Sequence, residues 1–169
     1  MTYSRGYKRK NYIIDGGFEG YEANEYSFYT SSYANWIGTS PYGGYLDATV
    51  FSYAPYAHYG HGVGLLGSAD GSDSYSGTLA PAKPLQTIAG KKYRITFFQA
   101  SAFSGFYSEG NAFIDIFWNG DVVLTIRPGF SNYEYNSVDV VGVGDDTLAF
   151  HGGAAPAWTF IDDICVFEI

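Results

Sequence analysis

The chain has 169 residues, 17 acidic against 9 basic, and a net charge of −8. That is one domain's length, enough to bury ~70% of the unfolded surface without staples. An excess of acid with no basic face excludes nucleic acid and anionic membrane as partners, and no apolar run reaches the ~20 residues of a membrane span. Aromatic residues make up 20% of the chain, with 17 Tyr, 13 Phe and 3 Trp, and 22 Gly accompany them. A core does not need that many rings, so part of the aromatic surface is expected to face solvent or a ligand. The single cysteine, Cys165, leaves no intrachain disulfide and reads as a small apolar strand residue.

Residues 1–10 carry the cluster Lys8-Arg9-Lys10, lack the apolar core of a secretory signal, and read as a solvated basic arm before a single domain over 11–169. Asn11 to Phe18 starts as a short strand and breaks at Gly16-Gly17. From Gly20 to Pro41 the chain is rich in Tyr, Ser and Asn, with Trp36 as its large anchor. Strand-like residues run from Tyr45 to Tyr59 around Pro55, and His61 to Leu66 reads as another short strand. Leu85 to Ile88 and Tyr93 to Ala100 are predicted strands joined by a turn. In the second, Tyr93, Ile95 and Phe97 share one face, with Arg94, Thr96 and Phe98 on the other. Ala112 to Trp118 and Asp121 to Ile126 flank Asn119-Gly120, the residues a type I′ hairpin turn favours. Val138 to Val143 and Thr147 to Phe150 read as a further hairpin through Gly144-Asp145-Asp146.

The last strand, Trp158 to Phe167, holds Asp162 and Asp163 at its centre. Side chains alternate across a strand, so the two are expected to point to opposite faces. A buried carboxylate needs compensation, and no Lys or Arg follows Arg127, so a cationic partner is expected from far away in the chain. About nine or ten short strands without a helix predict an all-β antiparallel sandwich or jelly roll.

Four segments carry a family resemblance. Asn11-Tyr-Ile-Ile-Asp-Gly-Gly-Phe-Glu19 resembles the opening Asn-Leu-Ile-x-Asn-Gly-x-Phe-Glu of galactose-binding-like jelly rolls, a group that includes the family 4, 9 and 22 carbohydrate-binding modules. Leu85 to Phe97 is similar to that group's Gln-Thr, turn-Gly, Tyr-x-Leu-x-Phe hairpin. Ile114 to Gly120 is similar to its Val-x-Trp-Asn-Gly, and Phe160 to Ile164 to its closing Leu-Asp-Asp-Val. Asp15 departs from the usual Asn, and Tyr21 to Tyr59 does not align. The resemblance implies a β-sandwich whose first and last strands lie together, and a secreted or cell-surface setting. It also implies a structural calcium held by the Gly17 carbonyl, Glu19, and Asp163 or Asp162. Oxygen-only ligands of this kind suit Ca²⁺.

Gly62-Val-Gly-Leu-Leu-Gly67 spells a dinucleotide motif, but a loop follows where a helix is required, so no nucleotide site is expected. His58 and His61, three apart, fall on opposite faces of a strand and are not expected to share a metal. No nucleophile elbow or triad order is present, and the chain is read as non-catalytic, with a small glycan-active hydrolase or lyase as the lesser alternative. Aromatic platforms beside hydrogen-bonding groups suit a polysaccharide. Two locations stay open. One is an open sheet face with Phe113, Asp115 and Phe117 beside Arg94, Thr96 and Phe98. The other is a loop site of Trp36, Tyr53, Tyr56, His58, Tyr59 and Tyr107. Trp118 and Trp158 are expected in the core. An adhesive protein whose Tyr-rich loops contact a protein partner is the alternative to glycan binding.

Overall fold

A computed structural model describes residues 9–24, 27–41, 46–71, 75–103, 112–154 and 157–169. Eleven strands among them form two antiparallel sheets. Sheet A contains β1 (Tyr29–Thr30), β3 (Ala48–Ser52), β4 (Gly62–Leu66), β6 (Lys92–Phe103), β9 (Ser131–Val141) and β11 (Ala157–Glu168), in the order β1-β3-β4-β11-β6-β9. Sheet B contains β2 (Trp36–Thr39), β5 (Gly77–Pro81), β7 (Ile114–Trp118), β8 (Asp121–Ile126) and β10 (Leu148–Gly152), in the order β2-β5-β10-β7-β8. The β-sandwich is as expected.

The core follows from period-two alternation. Tyr93, Ile95 and Phe97 of β6 and Ile114, Ile116 and Trp118 of β7 all turn inward, as do Leu79 of β5 and Leu148 and Phe150 of β10. Phe97 meets Phe150 edge-on across the sheets, with centroids 5.2 Å apart. Gly64 explains the glycine pattern of β4 without a nucleotide, since a Cβ there would stand 2.8 Å from the Ile161 and Leu79 side chains. The β7–β8 turn forms at Asn119 and Gly120 with φ of 54° and 86°, the left-handed pair its sequence predicts.

Four expectations change. Leu85 to Ile88 makes only an isolated bridge, Leu85 with Asp146, because the chain there crosses from sheet B to sheet A. The segments around Gly144-Asp145-Asp146 are not a hairpin: β9 lies in sheet A and β10 in sheet B. Asp146, buried at this crossing, accepts bonds from the Thr87 hydroxyl, Asn119 Nδ2 (2.5 Å) and the Val143 amide (3.0 Å). Trp36 is a core residue, fully buried against Phe18 at 4.8 Å, and its indole N–H donates to the Asp15 carbonyl at 2.9 Å. Of the other two tryptophans, Trp118 is buried, whereas Trp158 is half-buried on the outer face of sheet A.

The ends of the chain are sewn together. The Tyr12 amide donates to the Val166 carbonyl (2.8 Å) and the Ile164 amide to the Gly16 carbonyl (2.9 Å). Asn11 Oδ1 accepts from the amides of Val166 (2.9 Å) and Ile13 (3.1 Å). Gly16 is required by this approach, because a Cβ would run into the Ile164 carbonyl. Asp15 fills the Asn position of the opening motif by accepting from the Gly20 amide (2.9 Å), Tyr33 hydroxyl (2.6 Å) and Asn35 (3.3 Å). Burial and that Asp15 contact push the Tyr33 phenol well above its usual range.

Candidate functional site

The two locations left open by the sequence lie on opposite sides of the molecule. Arg94, Thr96 and Phe98 face outward from sheet A, and Phe113, Asp115 and Phe117 from sheet B, so they do not share a face. Sequence alternation assigns each set to the outside of its own strand; it carries nothing about which sheet the strand joins.

On sheet A, the β3–β4 loop with Tyr53, Tyr56, His58 and Tyr59 arches over the outer face. The His58 ring stacks on Phe98 with centroids 3.9 Å apart and planes 15° apart, and Tyr56 packs against Phe160 at 5.1 Å. The Tyr133 hydroxyl donates to the Tyr56 carbonyl at 2.5 Å. Burial, then the charges of Asp162 and Asp163, push that phenol up. Arg94 is engaged by Asp139 through two bonds of 2.6 and 2.8 Å. Tyr107 lies outside the described residues. A groove of about 390 Å³ remains beside the loop, walled by Tyr56, Tyr133, Trp158, Phe160 and Phe130.

Carboxylates hold that loop down. β11 bulges between Asp162 and Cys165, with Asp163 in the left-handed region at φ 51°, so strict alternation fails at the acidic pair. Asp162 is fully buried; its Oδ2 accepts from the amides of His58 (2.8 Å) and Tyr59 (3.3 Å), and its Oδ1 from the Asp163 amide (2.7 Å). Asp163 Oδ2 meets His58 Nδ1 at 2.7 Å. Glu19 Oε1 accepts from the amides of His61 (2.8 Å) and Gly62 (2.9 Å), with its Oε2 3.0 Å from His61 Nε2. The remote partner expected for the acidic pair is therefore a histidine together with backbone amides. His58 and His61 serve two different carboxylates and share no ligand.

The residues implied for calcium divide. Asp163 Oδ1 and Asp162 Oδ1 converge beside Gly17, 3.6 and 3.8 Å from the point a Cβ there would occupy, with Glu19 Cγ also at 3.8 Å. Burial and the charge of Asp163 push the Asp162 carboxyl up to about 7, against the pull of its three amide donors. A divalent cation bound beside Gly17 would relieve that repulsion, and the all-oxygen donor set is of the kind Ca²⁺ takes. Glu19 points elsewhere, into the 61–62 amides. Among the described residues no group of three acidic, His or Cys side chains is gathered for a metal.

Sheet B presents the other surface. Asp115 and Phe117 of β7, with Phe113 just before it, His151 and Ala149 of β10 and Thr78 of β5 project outward along three adjacent strands. The register sets His151 opposite Asp115. The His151 ring lies 5.9 Å from Phe113 and 6.4 Å from Phe117, edge-on to both. Each polar group is fixed by a neighbouring strand: the Thr125 hydroxyl donates to Asp115 at 2.6 Å, and Thr78 Oγ1 bonds His151 Nδ1 at 2.9 Å. With the Thr78 hydroxyl donating to Nδ1, His151 offers an Nε2–H donor beside the Asp115 acceptor. Arg127 lies over Phe113, 5.8 Å from its centroid. A shallow trough of about 490 Å³ covers Thr78, Phe117, Thr147, Ala149 and His151. His151, Thr78 and Thr125 escaped the sequence reading. Their only signal was an outward position in a strand, which carries no weight until the strand's neighbours are known.

The arrangement can be compared with solved structures. A family 61 carbohydrate-binding module, TmCBM61, solved with β-1,4-galactotriose, superposes with a TM-score of 0.59 at 18% identity, over 95% of this chain and 99% of that one. The fold is that of the galactose-binding-like jelly rolls. A putative sugar-binding protein from Bacteroides thetaiotaomicron gives 0.58 at 10% identity over 95% and 100% of the two chains. The CBM22-1–GH10 modules of Clostridium thermocellum xylanase 10B, solved with xylohexaose, give 0.57 at 12% identity, over 79% of this chain and 26% of the other. No protein-family model and no curated protein sequence matches the chain. Likeness at these identities establishes the jelly roll alone.

Proposed function

We propose that this galactose-binding-like jelly roll is a non-catalytic glycan-binding module of a secreted or cell-surface protein. Its ligand platform is the outer face of sheet B. One observation carries the reading: two phenylalanines flank His151 and Asp115, opposite one another and each bonded to a threonine of a neighbouring strand, on an outward sheet surface. A pyranose has the matching chemistry, with C–H faces that stack on rings and a hydroxyl that both donates and accepts. The solved neighbours with bound oligosaccharide support it. Non-catalytic binding is supported by Asp115 being the one carboxylate among the described outward strand residues of that face, since glycoside hydrolysis usually uses a pair.

Titration against a panel of soluble polysaccharides tests the proposal. Phe117→Ala and His151→Ala are expected to weaken binding about tenfold each with an unchanged melting temperature. Full binding by both variants removes the platform from the reading. A structural calcium in the Gly17 cradle, held by Asp162, Asp163 and the Gly17 carbonyl, completes the proposal; it would brace the terminal strands and take no part in sugar recognition. An adhesive role is the second reading, favoured by the aromatic groove over sheet A with its exposed Phe130. Phe130→Ser abolishing attachment to a protein partner, with glycan binding absent, would select it.

A further inference from the structure

The chain has nine Lys and Arg residues, of which Arg5 and Lys8 lie outside the described residues. Lys91 is paired with Glu168 at 2.8 Å and Arg94 with Asp139 at 2.6 Å. Lys92 adds its field to Asp139, and Arg127 belongs to the platform. Arg9 lies over Phe167, 5.1 Å from its centroid. Lys10 and Lys83 remain, and like Arg9, Lys92 and Arg127 neither has a carboxylate within ion-pair distance among the described residues. In a molecule of net charge −8, unspent positive charge is the scarcer kind.

Both line one groove. It has a volume of about 600 Å³ and runs between the N-terminal segment and the crossing from β5 to β6, with Lys10, Tyr12 and Ile14 on one wall and Lys83 and Gln86 on the other. Both walls are held by backbone bonds. Tyr12 is tied to Val166, and Leu85 exchanges amide bonds of 2.7 and 3.0 Å with Asp146. Lys10 Nζ sits 4.3 Å above the Tyr12 ring, which itself meets Tyr93 edge-on at 5.1 Å. Along the chain the groove comes within two residues of the sheet B platform. Asp145 lines the groove, and Thr147, two residues on, lines the trough over Phe117 and His151. Asp145 is the single acid among the groove's described lining residues.

We propose that this groove takes an anionic group, a carboxylate or sulfate, on a polysaccharide whose neighbouring sugar rests on the sheet B platform, so that the module selects acidic glycans. The proposal rests on the platform reading. Lys10 and Lys83 meet the anion, Tyr12 and Ile14 give the sugar ring an apolar wall, and Gln86 supplies a neutral hydrogen-bonding edge. Long-range repulsion by the acidic surface does not forbid this, because the field is screened over about 8 Å at physiological salt while a direct contact is screened less.

The test pairs ligands that differ only in charge. Polygalacturonate and its methyl ester probe the carboxylate, and a sulfated galactan and its desulfated form probe the sulfate. Calorimetric titration of the full chain is expected to favour at least one charged form. Lys10→Gln and Lys83→Gln should each lower its affinity about 2–5-fold, leave the neutral form unchanged, and reduce the salt dependence. Asp145→Asn should raise affinity for the same charged form. Equal binding of charged and neutral partners, or lysine variants that bind as wild type, overturns the anion site while Phe117→Ala still reports on the platform. Lysine-dependent binding of polyglutamate with no polysaccharide binding overturns it in favour of an acidic peptide. If no saccharide binds in any form, the platform reading and this inference both fall.

Discussion

Asp162 shows how a single side chain can be misread in isolation. On paper it is one of two carboxylates stranded in an apolar strand; in the fold it is the acceptor that anchors the His58 and Tyr59 amides from more than a hundred residues away. Asp162→Ala strands those donors and is expected to cost roughly 1–3 kcal/mol, read as a lower denaturant midpoint at constant slope. Asp146 makes the complementary case. Burial pushes its carboxyl up, but the bonds from Thr87, Asn119 and the Val143 and Gly144 amides outweigh burial and hold it below the usual range. Its protonation in the folded state is therefore harder than in the unfolded chain. The stability it contributes is complete above the unfolded aspartate pKa of about 3.9 and is lost as pH falls through the lower folded value. Asp146→Asn should be less stable near neutrality and show a flatter acid limb; an acid limb as steep as wild type would assign that loss to other groups.

At the scale of elements, the opening segment behaves as a strap. Residues 11–16 lie along the last strand beyond its bulge, where β4 no longer pairs. The glycines of the opening motif make that approach possible. Gly16→Ala puts a methyl group into the Ile164 carbonyl and is expected to destabilise by about 1–3 kcal/mol, with amide exchange at Tyr12 and Ile164 rising before that of β6. A uniform rise in exchange across sheet A would instead mean that the strap is part of the global unfolding unit. The β3–β4 loop is pinned from both ends of the chain, through Glu19 and Asp162, and this gives the Tyr-rich stretch around Tyr56 its place over sheet A.

For the molecule as a whole, the two sheets give two unlike surfaces. Sheet A carries an aromatic groove beside a loop held by carboxylates, and sheet B an outward platform with a fixed acid and imidazole. The calcium proposal belongs at this scale because the cradle joins the first and last segments. A cation held about 100-fold above its dissociation constant adds roughly 2.7 kcal/mol. A chelator should then lower the melting temperature and added Ca²⁺ restore it, and a melt that ignores both removes the ion from the account.

The sequence by itself determined the strand-only architecture, the inward sets of β6 and β7, the turn at Asn119-Gly120 and the meeting of the chain's ends. Each of these rests on alternation, on turn chemistry or on a motif a few residues long, all of which act locally. Which strands share a sheet is not local. A period of two states that Phe98 and Phe117 both leave the core, yet it is silent on whether they leave by the same side, and pairing decided that they do not. Pairing also buried Trp36 under Phe18, split the segments around Gly144 between two layers, and put His151 beside Asp115. The bulge at Asp163 broke the alternation at the acidic pair itself. The tertiary structure settled these points because a side chain's surroundings are set by the neighbours of its strand, and those neighbours come from anywhere in the chain.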